Sequence, residues 1–165
     1  MKKYLVIGNP IDHSLSPKLH NHWIKENNIE AVYEKKQLNE TDIEGIISEV
    51  KNDKIHGINV TVPFKKSVIP FLDELTATAN EAQSVNTIYK QKNKVIGHNT
   101  DIDGFMLALK YISYDVKNKK IFILDKYDFI SSKLSFFIVK TEESVKFHII
   151  EPFLDKQTEL INWCF

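Results

Sequence analysis

The chain of 165 residues has a single cysteine, Cys164. One thiol cannot close an internal disulfide, which points to a reducing compartment, the cytoplasm. No apolar run is long enough to span a bilayer. The opening "MKKYLVIGNP" joins basic residues to a short apolar stretch. Asn9, Pro10 and Asp12 break that stretch too early for a signal peptide, and "YLVIG" reads as a buried strand instead. Neither charge sign is in excess: Lys plus Arg and Asp plus Glu number 22 each. No global field therefore recruits nucleic acid or an anionic membrane. Glycine is scarce, with five in all and none after Gly104. What is present is globular composition, 42% hydrophobic and 27% charged. The length suffices for one domain with a real core, or one domain plus part of another.

Strand and helix patterns alternate along the chain. Tyr4 to Gly8 is the first strand, ended by Gly8-Asn9-Pro10. Ser16-Pro17 opens a helix, with Ser16 as N-cap, Pro17 at the first helical position, and Leu19 and Trp23 on the inner face. Ala31 to Leu38 is a second strand. Glu40 to Asn52 is a helix in which Ile43, Ile46, Ile47 and Val50 make an i, i+3, i+4, i+7 stripe. Ile55 to Val62 is a third strand, its apolar set Ile58, Val60 and Val62 facing away from Asn59 and Thr61. Phe64 to Leu75 reads as helical but interrupted at Pro70, and a short helix follows through "ATANEAQ". "SVNTIYKQKNKVIGHN" is a hairpin turned at Lys92-Asn93, and Asp103 to Tyr111 is a helix. "KIFIL" is a further strand, and "LSFFIVKTEESVKFHIIEPFL" has the look of a strand pair around "KTEE". The order predicts an α/β domain with a mostly parallel sheet flanked by helices.

The unusual polar residues fall at strand ends. Ser14 and Ser16 follow the first strand; Asn59, Thr61 and Lys65 close the third. Asn86 lies in the hairpin's first strand, and Asn99, Thr100 and Asp101 come just after its second. In open α/β sheets ligands bind outside the carboxyl ends of strands. These residues together predict a cleft of hydroxyls and amides with one amine and one carboxylate, which suits a small polyhydroxylated acid. Each taken singly has an ordinary explanation as a cap, a turn or a solvated strand face. His20 and His22 lie two apart on a helix and face different sides, a poor metal site, so no metal is expected. His13 reads as a turn residue.

"GNPIDHSLSP", "NVTVPFK", "SVNT" and "GHNTDIDG", in this order and spacing, resemble the substrate-binding domain of shikimate dehydrogenase from Met1 to about Leu124. The resemblance implies NADPH-dependent reduction of 3-dehydroshikimate to shikimate, on the way to chorismate and the aromatic amino acids. It implies that Ser14 and Ser16 bind the substrate carboxylate, that Thr61, Asn86 and Asp101 hold hydroxyls, and that Lys65 is the acid/base paired with Asp101. Asn59 is counted with the substrate-binding residues. The implied cofactor is NADP.

After "KIFIL" the family continues with a glycine-rich turn into a Rossmann domain, whereas here "DKYDFISSKLSFF" follows. Residues 1–103 are therefore expected to be the substrate-binding domain, 104–118 a linker helix, and 119–165 a remnant of, or replacement for, the NADP-binding domain. The tail is expected to be either a frameshift product or a genuine short replacement. Two functional expectations follow. One is a shikimate dehydrogenase-like protein whose cofactor domain is missing, with a homodimer or a separately encoded cofactor domain as partner. The other is a non-catalytic shikimate-binding module or decayed fragment.

Overall fold

The computed structural model describes residues 1–111 in full, and beyond them the backbone of three strands, 120–124, 135–140 and 145–150. The chain divides into two units, Met1–Ile102 and Asp103–Phe165.

The first unit is built on a six-stranded sheet. Its strands are β1 (Lys2–Gly8), β2 (Ala31–Gln37), β3 (Gly57–Val60), β4 (Glu74–Leu75), β5 (Thr87–Gln91) and β6 (Lys94–His98). The order across the sheet is β2-β1-β3-β5-β6-β4. β1 pairs in parallel with β2 and β3, and β4 with β6, while β5 runs antiparallel to both neighbours. Four helices accompany it: α1 (Ser16–Glu26), α2 (Ile43–Lys51), α3 (Ala77–Ala82) and α4 (Asp101–Tyr111), the last running across the boundary between the units.

The expected stripe on α2 is its buried face. Ile43, Ile46, Ile47 and Val50 are buried and join Leu5, Ile7, Ile58, Val60, Ile88 and Val95 of the sheet in the main core. Each such aliphatic side chain removed from water contributes about 1.5–3 kcal/mol. Period two sends Val6 to the opposite face, where it meets Ile11, Tyr33, Tyr4 and Ile24 of α1. Helices thus cover both faces of the sheet. The hairpin turns at Lys92 and Asn93, both at positive φ (47° and 67°), which matches the twist of the flanking strands.

Three local expectations are corrected. Ser16 is the first residue of α1, Leu15 occupies the cap position, and the Ser16 N–H is met by the Ser14 hydroxyl at 3.3 Å. The third strand ends at Val60, so Val62 turns outward and is 44% exposed instead of packing the core. Phe64 to Leu75 is a succession of turns, a 3-10 segment (Ile69–Phe71) and the short strand β4. Pro70 has no N–H to give to the Lys66 carbonyl, and the Lys65 carbonyl is taken by the Val85 N–H at 2.8 Å. Phe64 and Val68 are nevertheless buried in the main core.

In the second unit, β7 (Lys120–Leu124), β8 (Ser135–Lys140) and β9 (Val145–Ile150) form an antiparallel sheet in that order. The expected strand pair is β8 and β9. Residues 141–144, between the two strands, and residues 112–118 of the expected linker lie outside the described residues. Among the described residues no helix is long and apolar enough to cross a membrane.

Candidate functional site

The register brings several strand ends to one edge. Asn59 on β3 lies opposite Thr87 on β5, and Thr87 opposite His98 on β6. The carboxyl ends of β3 and β6 and the start of β5 therefore coincide, and the segments leaving them carry Thr61, Lys65, Asn86 and Asp101.

At this edge Lys65 Nζ donates to Asp101 Oδ2 at 2.7 Å, with the two side chains 35% and 36% exposed. The pair lies in a half-buried position, where charge attraction exceeds its value at an open surface. Asn86, only 6% exposed, braces the carboxylate. Its Nδ2 donates to Asp101 Oδ1 and to Thr100 Oγ1, both at 2.7 Å, and its Oδ1 accepts from the Thr100 N–H and the Thr87 hydroxyl. Both Asp101 oxygens are thereby engaged, and the ammonium is held in one place.

Asn99 explains where Asp101 comes from. It is 2% exposed. Its Oδ1 accepts from the Asp101 N–H at 2.9 Å and the Ile102 N–H at 3.3 Å, while Nδ2 donates to the Ser84 carbonyl at 2.9 Å. This satisfies two of the donors that open α4 and ties its first turn to the loop before β5.

The other expected residues take distinct places. Asn59 is half-buried; its Oδ1 accepts from the Tyr33 hydroxyl at 2.7 Å, and its Nδ2 approaches the Asn86 carbonyl and Thr87 Oγ1. Thr61 donates its N–H to the Ile7 carbonyl, and its methyl lies against Gly8, where an added Cβ would come within 2.6 Å of it. Ser14 and Ser16 form a pair of their own at the start of α1, and among the described residues no hydrogen bond joins them to Lys65 or Asp101. The structure thus brings Lys65, Asp101, Asn86 and Asn59 into one network and leaves Ser14, Ser16 and Thr61 outside its hydrogen bonds.

Tyr33 and Thr87 take part in this network without having been singled out in the sequence, whereas Asn99 stood among the polar residues expected at the strand ends. For Asn99 a signal existed: an asparagine two residues before the start of a helix is a common cap. Nothing local marks Tyr33 or Thr87, whose parts depend on cross-strand register.

The arrangement can hold a ligand hydroxyl between an ammonium and a carboxylate, and the ammonium can give a proton to, or stabilise negative charge on, an oxygen placed beside it.

Residues 6–88 match the family of shikimate dehydrogenase substrate binding domains. A shikimate dehydrogenase (NADP(+)) of Pelagibacter ubique is 53% identical over 159 residues, which are 96% of this chain and 57% of that protein. The crystal structure of shikimate dehydrogenase from Aquifex aeolicus superposes with a TM-score of 0.67 at 41% identity, covering 72% of this chain and 45% of that one. Shikimate 5-dehydrogenase from Thermus thermophilus, solved in complex with NADP(H) and shikimate, gives 0.65 at 32% identity, covering 71% and 44%. The chain spans about half the length of the relatives it matches. With 96% of the chain inside the Pelagibacter match, the stretch after Leu124 takes part in it.

Proposed function

The chain belongs to the shikimate dehydrogenase family through its substrate binding domain, and on that premise we propose that it holds shikimate or 3-dehydroshikimate beside Lys65 and Asp101. The observation that carries this reading is the 2.7 Å Lys65–Asp101 pair with Asn86 bracing its carboxylate. A ring hydroxyl placed there donates to Asp101 and accepts from Lys65. The side-chain hydroxyls of Ser16 and Thr61, without a hydrogen-bond partner among the described residues, offer donors to a carboxylate and a further ring oxygen. When the ligand is the ketone, Lys65 is the group that supplies a proton to the carbonyl oxygen, and Asp101 keeps it aimed.

The family reaction is reduction of 3-dehydroshikimate with NADPH. The residues after Leu124 do not fit such a cofactor. They contain no glycine, the residue type that lets backbone amides approach a pyrophosphate. The strands β7 and β8 pair antiparallel, whereas a nucleotide-binding βαβ unit needs parallel neighbours. We therefore read residues 1–165 as the substrate-holding part of a dehydrogenase, which binds the acid without itself holding the cofactor.

Calorimetric titration with shikimate, run alongside an NADPH-absorbance assay, tests this. The expected result is measurable but weak binding, weakened further by Lys65→Ala and by Asp101→Asn, with no turnover by the 165-residue chain. Robust turnover would overturn the cofactor part. A complete lack of binding by well-folded protein would overturn the substrate assignment.

A further inference from the structure

Tyr33 reaches the site from β2, two strands away on the same face of the sheet as Asn59. It is 4% exposed, and helix α1 holds it on two counts. Asn21 clamps its backbone, accepting from the Tyr33 N–H at 2.9 Å and donating to the Tyr33 carbonyl at 2.7 Å. His20, the preceding residue, stacks on its ring at 4.1 Å and 7°. The phenol so fixed lies 2.7 Å from Asn59 Oδ1.

The direction of that bond follows from its neighbours. Asn59 Nδ2 faces the Asn86 carbonyl, which can only accept, so the other end of the amide is oxygen and the phenol must donate to it. Burial pushes the Tyr33 pKa up, so the O–H remains a donor over the whole working range. Reversing the amide would set its oxygen against the Asn86 carbonyl, acceptor against acceptor. The contacts of Nδ2, at 3.4 and 3.3 Å, are at the long end for a hydrogen bond. They leave the amine loosely held, while the oxygen is firmly engaged.

We propose that Tyr33 is a positioning residue that makes Asn59 a hydrogen-bond donor toward the ligand, so that the site accepts a hydroxyl or carboxylate oxygen beside Asn59 and discriminates against a ligand amine there. This rests on the reading that the Lys65–Asp101 cleft binds a shikimate-like acid. Tyr33→Phe keeps the ring stacked on His20 and the backbone clamped by Asn21, and removes only the hydroxyl.

The test uses the whole chain, labelled with 15N. In wild type, a slowly exchanging Tyr33 hydroxyl proton is expected, with a cross-peak to the Asn59 side chain. In Tyr33→Phe, the Asn59 side-chain amide signals should move and shikimate should bind about three- to tenfold more weakly, the range one neutral hydrogen bond spans. In an Asn59→Ala background the same Tyr33→Phe change should leave affinity unaltered, a result that a purely structural role would not produce. Equal losses in both backgrounds, or unmoved Asn59 signals, would overturn the proposal. If wild type binds no shikimate while the Asn59 signals still move, the positioning role is supported and only the substrate assignment falls.

Discussion

Replacing Asn99 by alanine should loosen the start of α4 and, with it, the carboxylate of the site. The side chain is 2% exposed and makes three hydrogen bonds, to the N–H groups of Asp101 and Ile102 and to the Ser84 carbonyl. Each neutral bond contributes about 0.5–1.5 kcal/mol net, and losing an N-cap typically costs about 1 kcal/mol. These overlap, because two of the bonds are the cap, so the expected loss is about 1.5–2.5 kcal/mol. Urea unfolding followed by circular dichroism measures it, and calorimetry on the folded variant should show weaker shikimate binding. Asn99→Asp keeps the acceptor and adds a negative charge where the helix dipole favours one, but it faces the Ser84 carbonyl with an oxygen. It should recover about half the loss. A change below about 0.5 kcal/mol for Asn99→Ala would refute the view that this residue anchors α4 and Asp101.

Three other perturbations have definite expectations. Gly8→Ala places a Cβ 2.6 Å from the Thr61 methyl, the end of a short stiff side chain, so binding should weaken several-fold while Gly45→Ala, with open space around it, leaves affinity unchanged in the same titration. Asn93→Gly removes a left-handed residue with a side chain from the hairpin turn, and should raise stability by about 0.5–1 kcal/mol in urea unfolding. Burial lowers the His20 pKa from its ordinary 6.5, so the unfolded chain takes up this proton first as pH falls. Stability should therefore decline below about pH 6.5 until the folded-state value is passed. His20→Phe, which keeps an aromatic ring against Tyr33, should flatten that part of the stability profile.

Much of the fold was legible because its signals are local. The α2 stripe is a helical period, and Ile43, Ile46, Ile47 and Val50 are buried as that period requires. The hairpin and the β8–β9 pair follow from alternation and turn residues. The misreadings share a cause, since long-range hydrogen bonds decided them. The Lys65 carbonyl is met by Val85, twenty positions on, and this diverts a segment whose spacing looks helical. Val62 alternates correctly with Val60, but the strand stops before it. In the site, the motifs around Lys65, Asn86 and Asp101 were visible as motifs. The part of Thr87 arises from the pairing of β3 with β5, that of Tyr33 from the pairing of β2 and β3 on either side of β1, and that of Asn99 in part from a bond across to Ser84, none of which a window of sequence contains.

The central claim is that the 165-residue chain holds a shikimate-like acid at the Lys65–Asp101 pair. Chemical-shift mapping of the 15N-labelled protein during a shikimate titration tests it most directly. The predicted result is a saturable shift of the Asn59 and Asn86 side-chain amides and of the Asp101 backbone amide, absent in Asp101→Asn, with signals at the remote Lys92–Asn93 turn unmoved. Unchanged spectra up to millimolar shikimate, or shifts spread over the surface and retained in Asp101→Asn, would contradict it.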